Sequence, residues 1–178
     1  MSQRESLLAA AKRCLAERGY ARTSSRDIAA EAGANHAAIN YHYGSKDALL
    51  IAALMETVEA WGDTVVPAGD TWKQTMESLP ASRPMLVATL EAMAQAEHIP
   101  EVREHIAAAF ERARPELAAT IYGIDPEADD RTARAVASIH MALIAGLSQQ
   151  WLVDPERALT ADEVKHGLRA LLERLEDA

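Results

Sequence analysis

Cysteine and phenylalanine each occur once in this chain, and aromatic residues make up only 4% of it. A lone Cys14 excludes an intramolecular disulfide framework and fits a reducing compartment. Lying beside the apolar stripe of the first helix, it reads as a small core hydrophobe. Few aromatics, no β-branched runs and abundant alanine favour helix over sheet, so an all-α fold is expected. The opening stretch MSQRESLLAAAKR lacks the charged-then-apolar layout of a secretory signal. The longest apolar run, Ala135 to Leu147, is interrupted by Ser138 and His140 and is short for a bilayer. A cytoplasmic protein with no membrane partner is the expectation. Also missing are a Gly-x-Ser-x-Gly elbow, a P-loop, a dinucleotide glycine pattern and His-Glu-x-x-His. No catalytic residue is nominated, so an enzyme is not expected. His36 and His42 fall on different helix faces and have no Cys or His-x3-His companion. Neither a metal nor a cofactor is therefore expected.

Positive charge is scarce as well, with 18 Lys and Arg against 27 Asp and Glu and a net charge of −9. Its distribution matters more than its total. Residues 1–50 hold seven basic side chains (Arg4, Lys12, Arg13, Arg18, Arg22, Arg26, Lys46) and five acidic ones. The remaining 128 residues hold eleven basic and twenty-two acidic. A mildly basic head on an acidic body fits a protein that meets phosphates with one end only.

That head carries the clearest pattern in the chain, RTSSRDIAAEAGANHAAINYHYGSKD over residues 22–47. Ser24 and Asp27 have the spacing of a capping box. Ile28, Ala29 and Ala32 then form one apolar face. Gly33 ends the helix, and Asn35 is placed to cap a second one running through Tyr41. Gly44 closes that helix, and Ser45 caps another that begins at Lys46. Before this pair, Leu7, Leu8, Ala11 and Leu15 predict a first helix from about Ser2 to Arg18, stopped by Gly19. Two short helices joined by a tight turn are the plan of a helix-turn-helix, whose second helix enters the DNA major groove.

Leu15-Ala-Glu-Arg-Gly-Tyr20, Thr23-Ser24, Asp27-Ile-Ala29, Ala32-Gly33 and Ile39-Asn-Tyr-His-Tyr-Gly-Ser-Lys-Asp-Ala-Leu49 occur in order at matching spacings. Over roughly residues 5–55 the chain thus resembles the tetracycline-repressor (TetR/AcrR) family. The resemblance implies a homodimeric, all-helical, ligand-responsive transcription factor. It departs from the family pattern at Leu15 and Tyr43, where phenylalanine is usual, and at Ala37, Ala38 and Asn40.

By chemistry and position, Asn35, His36, Ala37 and Asn40 are the candidates for base contacts. Asparagine can pair with adenine through two hydrogen bonds, and alanine can touch a thymine methyl. Ser24, Ser25, Arg26, Tyr41, His42 and Lys46 are the candidates for phosphate contacts. The resemblance implies the phosphate role for Tyr41 and Lys46 in particular.

From Lys46 the fourth helix is expected to run to about Trp61 or Gly62. Pro67, Gly69 and Asp70 break the pattern. A short helix over Thr71–Leu79 follows, then a second break at Pro80–Pro84, then a helix carrying Met85, Leu86, Leu90, Met93 and Ala94. Pro100 opens the next helix, with a kink or break expected near Ala113–Pro115. A long apolar helix over Asp130–Asp154 and an amphipathic one capped by Thr160 and Glu163 complete the chain. The division expected is a DNA-binding domain at 1–47 and a helical ligand-binding and dimerisation domain at 48–178. Trp61, Met85, Met93, Phe110, His140 and Met141 are the candidates for a ligand pocket. Glu91, Glu97 and Glu104 are expected to be solvated. Leu143, Leu147, Trp151, Leu168 and Leu172 are the candidates for a dimer interface, where the resemblance implies a four-helix bundle with the partner's last two helices.

The function expected is a DNA-binding regulator, a repressor released from a palindromic operator by a small molecule. The alternative is a helical adaptor that binds only protein.

Overall fold

The computed structural model describes residues 2–65 and 70–176, so the expected break at Pro67 and Gly69 lies outside the described residues. Among the described residues there are eight helices and no strand. They are α1 (Gln3–Arg18), α2 (Ser25–Ala32), α3 (Ala37–Tyr43), α4 (Lys46–Val65), α5 (Thr71–Gln95), α6 (Pro100–Tyr122), α7 (Asp130–Val153) and α8 (Ala161–Glu176). The chain divides into two compact units, Met1–Trp61 with Ser82–Ala113, and Gly62–Ala81 with Arg114–Ala178.

Helix starts follow the sequence. Ser2 caps α1 through a reciprocal box with Glu5, Ser24 does the same for α2 with Asp27, and Ser45 accepts the Ala48 N–H at the start of α4. Thr160 and Glu163 exchange the same pair of bonds at α8. Each box satisfies backbone donors that a helix start leaves without partners.

Neither of the two helix breaks expected at proline is seen among the described residues. α5 runs unbroken from Thr71 to Gln95 through Pro80 and Pro84, and α6 runs unbroken through Pro115. All three prolines are exposed, so water reaches the carbonyls that lose a donor. Buried Thr75 and Leu79 before the pair, and Leu86 and Ala88 after it, anchor α5 on both sides. α4 also continues one turn past its expected end, to Val65.

The first unit has a full core. Leu7, Ala11, Cys14 and Leu15 of α1 meet Tyr20, Ile28, Ile39, Leu49, Leu50, Ile51 and Leu54, closed over by Ala88, Ala92, Val102 and Ile106. Burial raises the Cys14 thiol pKa, in keeping with a core role.

The second unit is built differently. Ala118, Ala133 and Ala137 form one buried apolar cluster, flanked by Leu117 and Ile124, and Val65, Leu79 and Val164 are buried as well. α7 is long and apolar enough, by length and composition, to cross a membrane, which the interrupted run Ala135–Leu147 alone did not suggest. It buries Ala133, Ala137, His140 and Ser148, but only 17% of its most apolar stretch is buried and Ile139 is 61% exposed.

Candidate nucleic-acid interface

α1 packs against α2 and α3. Ile28 and Ile39 sink fully into the core, each contributing ~1.5–3 kcal/mol by burial. This fixes which faces of α2 and α3 point outward. The turn between them is made by Gly33, whose backbone is left-handed (φ 61°, ψ 32°) and whose N–H closes on Ala29 and Ala30. Asn35 Oδ1 accepts the Ala37 N–H at 3.0 Å in the turn before α3, while the N-cap position of α3 itself falls on His36, which makes no side-chain cap bond.

With Ala38 and Ile39 buried, the outward side of this segment consists of Asn35, His36, Ala37, Asn40 and Tyr41, all exposed. The four base-contact candidates therefore lie together. Tyr41 is 85% exposed, its ring edge-on to His42.

The phosphate candidates fare unevenly. Arg26 is exposed. Ser24 is committed to its cap, accepting the Asp27 N–H at 3.2 Å and donating to Asp27 Oδ2. The Ser24 hydroxyl and the Ser24 N–H, both donating to Asp27 Oδ2, together with Arg18 hold the Asp27 carboxyl below its ordinary pKa. Ser25 is half-buried. His42 is half-buried, with Nε2 3.2 Å from Gln3 Oε1. Lys46 is half-buried, its ammonium 3.5 Å from Asp47 and 5.9 Å from the centre of the Tyr20 ring. Burial first, and the Asp47 carboxylate second, push the Tyr20 phenol pKa well up. Its hydroxyl therefore stays protonated and donates to Asp47 Oδ1 at 2.9 Å. Tyr43 packs on the core and donates to the Arg4 carbonyl, with the Arg4 guanidinium over its ring.

Ion pairing sorts the basic residues of the head. Lys12, Arg13, Arg18 and Lys46 pair with Glu56, Glu31, Asp27 and Asp47. Arg22 and Arg26 are exposed and have no acidic partner among the described residues. Sequence reasoning passed over Arg22, although it directly precedes the Thr23-Ser24-Ser25-Arg26 stretch. Its Nε donates to the Arg18 carbonyl, which leaves the rest of the guanidinium at the surface.

The pocket candidates divide between the units. Met85 and Phe110 pack against the first unit's core. Trp61 is half-buried there, and Met93 is 40% exposed. In the second unit, Met141 is half-buried and His140 is buried. His140 Nδ1 lies 2.8 Å from the Tyr122 hydroxyl, and its ring stacks at a tilt on Trp72. Desolvation lowers its pKa, which favours the neutral ring. Trp72 and Tyr122 are the companions that sequence reasoning did not attach to His140. Gln149 and Gln150 line an open depression of about 440 Å³ with Val153, Asp154, Arg157 and Ala158.

A capped helix, a glycine turn and a short outward-facing second helix with polar side chains on its free face define a helix-turn-helix DNA-binding module. The family model of bacterial regulatory proteins of the tetR family matches residues 7–53. The model for the C-terminal part of BetI-type transcriptional repressors matches residues 71–176. The chain belongs to the TetR family of bacterial regulatory proteins. It is a DNA-binding transcriptional regulator and not an enzyme.

Among solved structures, a TetR transcription regulator from Haloarcula marismortui ATCC 43049 shares 28% identity, covering 96% of this chain and 95% of that one, at a TM-score of 0.61. A candidate transcriptional regulator from Saccharomonospora viridis in complex with choline gives the same figures. The multidrug binding protein EbrR complexed with proflavin shares the fold at 22% identity, 96% and 99% coverage and a TM-score of 0.69. A search of curated proteins finds no match.

Proposed function

We propose that this regulator is a cytoplasmic homodimeric repressor, released from a palindromic or near-palindromic operator by a small molecule. Residues 1–47 read the operator, and residues 48–178 bind the effector and the second copy. The observation that carries the DNA reading is the free face of α3. Tyr41 stands 85% exposed beside Asn40 and Ala37, a placement in which a phenol meets a phosphate while its neighbours meet base edges.

Pairing of two copies is supported by the apolar surface of the last two helices. Ile139, Leu171, Leu172 and Leu175 are 59–72% exposed, and Leu143, Leu147, Trp151 and Leu168 are half-buried. Bare apolar area of this kind on neighbouring helical turns marks an interaction surface.

For the effector, Trp72 and Tyr122 set two aromatic rings against the neutral imidazole of His140. Such rings suit an organic cation such as choline, the ligand of the similar Saccharomonospora viridis protein. The effector releases DNA only to the extent that it prefers the non-binding conformation.

Sedimentation of the protein with an operator-length duplex tests the assembly. Two chains per duplex are expected, and one chain per duplex at saturating protein would remove the dimeric reading.

A further inference from the structure

Two carboxylates outside the helix-turn-helix grip the turns on either side of it. Glu91, near the end of α5, accepts the Ala21 N–H at 3.0 Å in the turn between α1 and α2. Its carboxylate lies so close over Gly19 that a Cβ built there would stand 2.7 Å from Oε2. Gly19 also holds a positive φ of 77°, so its backbone ties the position to glycine. Glu101, in the first turn of α6, accepts the Ser45 hydroxyl, with both of its oxygens 3.0 Å from Oγ. Ser45 is the residue that caps α4, directly after the recognition helix. One carboxylate therefore holds the turn before α2, and the other holds the turn after α3.

We infer that Glu91 and Glu101 are positioning residues for operator binding, clamping the two ends of the helix-turn-helix against α5 and α6 within the first unit. Neither faces DNA in this role. They act by holding Ala21 and Ser45, and so the phosphate-facing stretch that starts at Arg22 and the recognition helix that ends at Gly44. Both are acidic residues in a DNA-binding unit, where charge alone works against binding. A geometric role accounts for carboxylates at these two turns.

The inference rests on DNA binding, and the experiment separates the two. Wild-type protein first selects a duplex from a random library, and that duplex is the probe for every variant. Glu91→Gln/Glu101→Gln and Glu91→Ala/Glu101→Ala remove the same charge, but only the glutamines keep acceptors for Ala21 and Ser45. The glutamine variant is expected to bind within about twofold of wild type or tighter. The alanine variant is expected to bind about tenfold more weakly than the glutamine variant, the scale of one or two missing hydrogen bonds. It should also show a shallower salt dependence, by about 0.9 for each phosphate it no longer neutralises, and faster amide exchange at Ala21. Equal affinities and salt slopes for the two variants overturn the clamp. Should the alanine pair fail to fold, Glu91→Ala against Glu91→Gln makes the same comparison at one turn. If wild type selects no duplex, DNA binding itself fails, and Ala21 exchange alone then decides whether the Glu91 bond is made.

Discussion

The two units bury their apolar side chains to very different degrees. In the first, Leu7, Ile28, Ile39, Leu49, Leu50 and Leu54 are all 0–1% exposed around Tyr20. In the second, Leu79, Val65 and Val164 are buried along with Ala118, Ala133 and Ala137, while Ile139, Leu171, Leu172 and Leu175 are 59–72% exposed. Large side chains buried within one chain make a unit that holds its shape alone. Fewer large side chains inside, with an isoleucine and three leucines of α7 and α8 outside, leave apolar surface open to a partner. The first arrangement suits a head that must present α3 in a fixed attitude, and the second suits a body that pairs with its copy.

The sharpest way to break this contrast is to charge the exposed helix. Leu171→Glu with Leu172→Glu should halve the mass seen by light scattering and weaken operator binding at least ~100-fold, because each molecule can then hold only one half-site. The helical content of each chain should be kept. The next largest effect lies in the head. Ile39→Ala is expected to cost about 2–5 kcal/mol of stability in urea unfolding, as a fully buried isoleucine does, whereas Leu175→Ala in the isolated chain should cost little.

Smaller effects sharpen the electrostatic side of the comparison. Arg22→Ala and Arg26→Ala should each lower the salt slope of operator binding by about 0.9, while Arg13→Ala, already paired with Glu31, should leave it near the wild-type value. The smallest expected effect is a pH dependence in the body. Burial depresses the pKa of His140 below its ordinary 6.5. The unfolded chain therefore binds a proton that the folded chain refuses, and stability present above pH ~6.5 falls as the pH drops below it. Urea midpoints measured from pH 7 to pH 5 should decline less in His140→Gln than in wild type.

The head was legible in the sequence because its signals are local and redundant. Ser24, Gly33 and Ser45 each fix a helix end through a bond to a near neighbour in the chain. Leu7, Ala11 and Leu15 have a period that only a helix can bury. α7 and α8 were legible for the same reason. The middle of the chain was not. Proline at 80 and 84 is a strong local signal against helix, yet packing of Thr75, Leu79, Leu86 and Ala88 outweighs it where the rings face water. Long-range bonds were also out of reach. Nothing near Glu91 or Glu101 in sequence points to Ala21 or Ser45, and Glu91, expected to be solvated, is half-buried over the turn it holds. The same applies to Lys165, which pairs with Asp70 across 95 residues and holds its carboxyl below the usual range. Pairing also changed the standing of candidates whose chemistry was right. Ser24 and Lys46 are the correct types for phosphate, but the structure engages both with neighbouring aspartates.

The central claim is that a rigid head reads DNA as one half of a symmetric pair. Selection of bound duplexes from a random library by the full-length protein tests it most directly. The account predicts enrichment of an inverted repeat whose half-sites lie about one helical turn apart or somewhat more. Failure of folded protein to enrich any sequence at low salt, or enrichment of a single half-site with no symmetry, would contradict it.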